Sequence, residues 1–352
     1  MDTRLTGLNQ WVRQQMLSDQ VQAMAVSSLE PVSGDASFRR YFRCKVVFAD
    51  ADSLSLIAVD APPDKENNPS FVRIAENFKR HGVNVPDVYA ADFAQGFMLL
   101  SDFGNTLLLS QLNENNVGQY YERALSDLAV LQQCTFEPTL PLYDESLLMA
   151  EMQLFADWLL QRHLQLPLSA AEHAVMANAF EYLKDQALSQ PQVTVHRDYH
   201  ARNLMLLPNG ELGNIDFQDA VHGPITYDLV SLVRDCYVRW PAEQVTAWAL
   251  GFKEKLLVCG FMRPVSDEQF LHWFNAMGAQ RHLKAAGIFA RLYHRDGKPG
   301  YLPDIPRTVN YICEEVAGIT ALSDFSTLLS DKIVPALCEK DAQAKPFFKD
   351  VL

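Results

Sequence analysis

Residues 43–48, RCKVVF, and 54–59, LSLIAV, are two apolar, β-branched runs separated by the polar ADADS, a pattern that predicts a hairpin. The period then changes. In NPSFVRIAENFKRHG the apolar positions Phe71, Ile74, Ala75 and Phe78 recur at helical spacing. The run closes on Lys79, Arg80, His81 and Gly82, cations and a glycine that suit a helix C-terminus. VPDVYAADFAQGFMLLSDFG predicts two more short strands around 94–96. Residues 1–102 therefore read as a small β-rich lobe with one helix.

Past Gly104 long amphipathic segments dominate, at 117–134, 146–166, 170–189 and 242–258, interrupted once by the strand-rich 193–217. No repeat or low-complexity linker breaks the pattern. The expected organisation is α+β: an N-terminal lobe, 1–102, a short connection near 99–104, and a larger helical lobe, 103–352, with a hairpin embedded in it. Such an arrangement offers a cleft between lobes for a ligand.

Composition narrows the partners. Among 352 residues, 30 Lys and Arg face 43 Asp and Glu, a formal charge of −13. A general affinity for nucleic acid or an anionic membrane wants a basic face, so neither is expected. One local basic pocket for an anionic ligand remains compatible. The N-terminus has no apolar signal-peptide core, and the longest apolar-looking stretch, LLMAEMQLFADWLL, is interrupted by Glu151, Gln153 and Asp157. It reads as an amphipathic helix. Cysteines at 44, 134, 236, 259, 313 and 338 show no CxxC spacing, which predicts buried thiols in a reducing cytoplasm. The oligomeric state is left open.

Candidate chemistry concentrates in 195–217, VHRDYHARNLMLLPNGELGNIDF. The strand QVTV delivers His196, Arg197 and Asp198 to its end, and NLMLLP and ELGNIDF flank Asn209-Gly210, a strong two-residue hairpin signal. With that turn, Pro208 faces Glu211, Leu207 faces Leu212, and Asn203 faces Asp216. Directly opposed side chains have Cβ atoms roughly 4.5–5.5 Å apart. An amide oxygen and a carboxylate would thus meet at the hairpin's open end, donors suited to Mg2+ carried on substrate phosphates. Asp198, five positions before Asn203, is placed to take a proton from an attacking hydroxyl. H-R-D-x4-N followed by a D-F element is the catalytic-loop logic of kinases. The plainer alternative is a capped surface hairpin with an Asx turn. A second H-R-D at 294–296 serves as a control. Tyr301 stands where an asparagine is needed, no strand precedes it, and Gly297, Pro299 and Gly300 mark a loop.

VHRDYHARNLML together with NIDFQDAVHGPITYDLVSL resembles the aminoglycoside phosphotransferase-like branch of the protein-kinase superfamily. The resemblance implies a two-lobed kinase-like fold, ATP and Mg2+, with Asp198 as catalytic base and Asn203 and Asp216 as metal ligands. It also implies Asp228, in Tyr227-Asp228-Leu229, as a structural acceptor that steadies the catalytic loop. SGDASFRRYFR (33–43), AVDAPPDKE (58–66) and AQRHLKAAGIFARLYHRDGKPGYL (279–302) are similar to bacterial anomeric sugar kinases. Those enzymes phosphorylate N-acetylmuramate and N-acetylglucosamine at C1 during cell-wall recycling.

Two departures from the family pattern stand out. The phosphate loop has one glycine, Gly34, so Ser33, Gly34, Ala36 and Ser37 are the nucleotide contacts expected there. Val59-Asp60 stands where an ATP-orienting lysine is expected, which leaves Lys45, Arg43 or Lys65, opposite Glu76, to supply the charge. Adenine is expected against backbone groups near Leu99 and Ser101. Muramate differs from glucosamine by a lactyl carboxylate, which points to Arg281 and Lys284, on one face of a helix, as acceptor contacts. A solvated, snorkelling helix face is the alternative for that pair. For the whole chain the alternatives are a kinase of another small alcohol, such as an aminoglycoside or choline, and a nucleotide-binding pseudokinase without turnover.

Overall fold

The computed structural model describes residues 2–18, 21, 23–32, 38–49 and 52–349. Helix α1 (Thr3–Met16) opens the chain, and the Asp2 carboxylate accepts from Leu5 N at its start. The alternating pattern of the N-terminal lobe did not reveal this helix. Its stripe of Leu8, Trp11, Val12 and Met16 packs on Phe42, Cys44, Leu56, Ala58, Phe97 and Leu99 to form one core. Those six residues are the inward set of a sheet made of β1 (Ala25–Val26), β2 (Glu30–Pro31), β3 (Arg40–Val47), β4 (Ser53–Asp60), β5 (Val88–Asp92) and β6 (Phe97–Ser101). The order is β1-β3-β4-β6-β5, with β2 also on β3, and every pairing is antiparallel. The predicted 43–59 hairpin is β3–β4, with Arg43 opposite Ile57 and Arg40 opposite Asp60. Helix α2 (Asn68–Arg80) follows β4, capped by the Asn67 side chain.

After helices α3 (Val117–Gln132), α4 (Glu145–Leu154) and α5 (Ala170–Leu188) come four short strands: β7 (Gln192–Val195), β8 (Leu204–Leu206), β9 (Leu212–Asn214) and β10 (Val221–Pro224). Helices α6 (Tyr227–Val233), α7 (Ala242–Val258), α8 (Asp267–Asp296) and α9 (Ile305–Ala317) follow. The chain divides into two compact units, 1–111 with 202–219, and 112–201 with 220–352. The first unit therefore runs past 102 and includes the β8–β9 hairpin, which was expected inside the helical lobe. Specific bonds hold it there. Asn84 Nδ2 donates to Leu212 O (3.0 Å), Asn214 N to Asn84 O (2.7 Å) and Leu206 N to Thr106 O (2.8 Å). Phe217 packs its ring on Phe71 and Phe78.

In the second unit β7 pairs with β10, Val195 opposite Val221. The amphipathic segments appear as α3, α5 and α7, while 146–166 is α4 continued by wider π-type turns over Phe155–His163. The core gathers Met152, Phe155, Phe180 and Leu183 around α8 residues Ala279, Leu283, Ala286 and Ala290, with Val309 and Ile312 of α9. Residues 294–296 form the last turn of α8, not the loop that the following glycines and proline suggested. Among the described residues no helix is long and apolar enough to cross a membrane. Five cysteines are buried thiols as expected, and Cys259 is exposed.

Candidate active site

β7 ends at Val195, and the loop after it is held from below by one carboxylate. Asp228, fully buried in the first turn of α6, accepts from His196 N (2.7 Å) and Arg197 N (3.0 Å). Burial, with Asp198 adding to it, pushes the Asp228 carboxyl up to about 7 against those two donors. Arg197 takes a left-handed backbone (φ +76°), uncommon outside glycine, and needs such fixing. Its guanidinium pairs with Glu151 of α4, which also accepts from the Tyr143 hydroxyl and lies 3.2 Å from Lys284 Nζ. Lys284 in turn donates to the Tyr227 hydroxyl at 2.9 Å. Burial opposes the Glu151 charge, but Lys284 and then Arg197 hold its carboxyl below the usual range. Glu151 is the acid that interrupted LLMAEMQLFADWLL, where its only visible signal was a charge in an apolar run.

Asp198 leads the turn that follows, with its carbonyl accepting from His200 N at 3.0 Å. Ala201 N donates to buried Asp235, closing the loop onto the segment after α6. Burial works against the Asp198 charge, but Lys284, His200, Arg197 and Arg281 outweigh it and hold the carboxyl below its ordinary value. Asp198 is therefore an ionised carboxylate in cationic surroundings. It can accept a proton or orient a hydroxyl.

The expected amide–carboxylate pair exists, reached by a different register. β8 and β9 pair Leu206 with Leu212 and Leu204 with Asn214, one residue off the alignment that a two-residue Asn-Gly turn requires. Gly210 N donates to Leu207 O and Leu207 N to Glu211 O, both at 2.9 Å, so the loop holds Pro208, Asn209 and Gly210, with Gly210 at φ +80°. This is the three-residue hairpin in which a type I turn is completed by a left-handed glycine. Asn203 consequently lies opposite Ile215, whose N–H it accepts at 3.1 Å. Asp216 then turns back through its own left-handed backbone (φ +64°), which brings its Oδ2 to 3.5 Å from Asn203 Nδ2. Gln218 Nε2 donates to the other carboxylate oxygen at 2.8 Å. Asp198 belongs to one compact unit and the Asn203–Asp216 pair to the other.

Among the described residues no group of three or more His, Cys, Asp or Glu side chains could hold a metal. The oxygen donors of Asn203 and Asp216 fit instead a hard cation that brings most of its ligands with it.

Of the nucleotide contacts expected from the sequence, Ser33, Gly34, Ala36 and Ser37 lie outside the described residues. Leu99 is fully buried in the α1 core, and its strand is paired on both sides by β4 and β5. Ser101 N donates to Asp87 O and its hydroxyl accepts from Asp87 N. Asp60, in the dipeptide that replaces the lysine, is fully buried between Arg4 of α1 and Arg40. Arg43 is bound to Asp102 and Asn105, Lys65 lies 3.6 Å from Asp64, and Lys45 and Glu76 are exposed. A pair unnoticed in the sequence joins buried Arg39 to Glu66 at 3.0 Å.

Arg281 and Lys284 both occur on α8, and both are buried, so the solvated-face alternative does not hold. The two differ in company. Lys284 has Glu151 and Tyr227, whereas the only hydrogen bond of Arg281 among the described residues is to the Cys236 sulfur at 3.8 Å.

Comparison with known proteins gives this geometry a context. Residues 28–268 match the model of the phosphotransferase enzyme family. A Pseudomonas aeruginosa protein named N-acetylmuramate/N-acetylglucosamine kinase is 44% identical over 305 residues, covering 86% of this chain and 88% of its own. A protein of the same name from Pseudomonas putida is 39% identical, covering 94% and 97%. Among solved structures, a choline kinase from Streptococcus pneumoniae superposes with a TM-score of 0.58 at 14% identity, over 88% of this chain and 99% of the other. An ADP-bound aminoglycoside phosphotransferase gives 0.55 at 13% identity, over 90% and 99%. At such identities these two show the fold alone.

Proposed function

The chain belongs to the phosphotransferase enzyme family, and we propose that it transfers the γ-phosphoryl group of ATP to the anomeric hydroxyl of N-acetylmuramate and N-acetylglucosamine. The observation that carries the transfer is the loop geometry: buried Asp228 holds the two backbone N–H groups just before Asp198, and Asn203 meets Asp216 at 3.5 Å. The names of the relatives at 44% and 39% identity support the same acceptors.

In this reading Asp198 orients the acceptor hydroxyl and takes its proton as the oxygen bonds to the γ-phosphorus and the bond to the ADP oxygen breaks. The anomeric hydroxyl is more acidic than an ordinary sugar alcohol, so a carboxylate of depressed pKa is a sufficient base. Such catalysis is mostly positioning and charge neutralisation. Asp228 fixes the loop from its backbone side, and the Glu151–Arg197 pair fixes it from the side-chain side. Asn203 and Asp216 would hold Mg2+, which neutralises phosphate charge when bound. The reading sets the enzyme in the cytoplasm, where ATP is available and free thiols stay reduced.

The test is ADP release by the full chain with ATP and a panel of N-acetylmuramate, N-acetylglucosamine, kanamycin and choline. The two amino sugars should support turnover, and Asp198→Asn should lower it by about 1,000-fold or more while leaving ATP binding intact. Turnover with an amine alone would reassign the acceptor. ATP binding without turnover on any of them would make the chain a pseudokinase.

A further inference from the structure

The two acceptors differ in one charged group, the carboxylate that muramate carries on its lactyl ether. Lys284 is already committed, because Glu151 and the Tyr227 hydroxyl take its ammonium. Arg281, one helical turn earlier, is in another position. It is 6% exposed, and its buried Nε has no hydrogen-bond partner among the described residues. Among the described residues no carboxylate oxygen lies within 4.0 Å of its nitrogens, and its one hydrogen bond is to the Cys236 sulfur at 3.8 Å. A guanidinium stays charged in a protein, and here Cys236, Asp235 and Asp198 favour that charge, but no carboxylate makes a close ion pair with it. The fork of the guanidinium therefore has room in its bonding for an incoming carboxylate.

Resting on the amino-sugar reading above, we propose that Arg281 is the specificity residue that receives the acceptor's carboxylate. Chemistry and placement converge on it. The planar fork of a guanidinium matches a carboxylate in bidentate fashion, which an ammonium cannot do. Arg281 belongs to the same unit as Asp198 and is among the cations that act on it. The segment bearing Cys236 is itself fixed, because Asp235 accepts from Ala201 N of the catalytic loop and from Tyr237 N. Arg281 is thus held in register with the loop that presents Asp198.

The experiment compares kcat/KM for N-acetylmuramate, its lactyl carboxamide and N-acetylglucosamine. A hydrogen-bonded charge contact is worth about 1.5–3 kcal/mol, roughly 10- to 150-fold. Arg281→Gln should lower the muramate-to-glucosamine preference by that factor, and Arg281→Lys should recover part of it. The wild-type enzyme should disfavour the carboxamide, equal in size and uncharged, to a similar degree. Lys284→Met should lower both sugars together and leave the preference unchanged. An unaltered preference in Arg281→Gln, or equal use of acid and carboxamide by the wild type, overturns the assignment. The carboxamide comparison decides the question even if the variants fail to fold. Failure of the wild type to use either sugar would instead remove the amino-sugar reading itself.

Discussion

Glu151→Gln isolates the electrostatic role of the buried carboxylate behind the catalytic loop. The substitution keeps the length and planarity of the side chain, and an amide oxygen can still accept from Tyr143. It removes the negative charge facing Arg197 and Lys284. Glu151 is 6% and Lys284 8% exposed, so water screens little of the loss. Breaking a buried pair by removing one partner typically costs about 3–5 kcal/mol, because the other charge is left uncompensated. The Tyr227 hydroxyl on Lys284 and the Tyr143 ring beside Arg197 offset some of this, which sets the expectation near the lower end, about 3 kcal/mol. Chemical denaturation followed by tryptophan fluorescence reads it as a lower midpoint at constant slope. The double variant Glu151→Gln/Lys284→Met should lose less than the two single losses added, since the stranded ammonium is gone. A loss under about 1 kcal/mol for Glu151→Gln, or strict additivity in the double variant, would refute the claim that this carboxylate holds the two cations.

Three further outcomes follow from the same geometry. His282 is fully buried; burial opposes its charge, but Glu315 at 2.8 Å and Cys236 outweigh it and push its pKa up to about 9. Its stabilising contribution is therefore whole below about pH 6.5 and declines as pH rises toward 9, so unfolding midpoints should fall across that window and flatten in His282→Gln. Gly213→Ala would set a Cβ 2.4 Å from the Phe103 ring, and the displaced ring should cost about 1–3 kcal/mol in denaturation, with the β8–β9 hairpin losing amide protection first. Asp216→Asn should raise the Mg2+ concentration needed for half-maximal turnover by about tenfold or more, while an unchanged Mg2+ requirement would take Asp216 out of the metal set.

Period and turn chemistry carried much of the fold into view. The β3–β4 hairpin, α2, α3, α5 and α7 could be read because their apolar positions keep one period, and α2 and α5 also start on a capping side chain. Helix α1 was missed because its charged and amide residues diluted the stripe of Leu8, Trp11, Val12 and Met16, whose partners lie on distant strands. In the hairpin the turn dipeptide was identified but its class was not. Asn-Gly serves a two-residue turn and also the last positions of a three-residue one, and only the backbone bonds at Leu207 separate them. Asn203 and Asp216 still meet, because Asp216 adopts a left-handed backbone that no periodicity encodes. Glu151, Arg39 and the contrast between Arg281 and Lys284 were invisible for a related reason. What distinguishes each of them is a partner far away in the chain.

The most direct measurement is phosphorus NMR of the product that the full chain makes from N-acetylmuramate and ATP. Phosphoryl transfer to the hydroxyl oriented by Asp198 predicts one new phosphomonoester resonance coupled to the anomeric proton, absent from the Asp198→Asn reaction. A resonance coupled instead to the C6 protons, or the same 1-phosphate formed as fast by Asp198→Asn, would contradict the account.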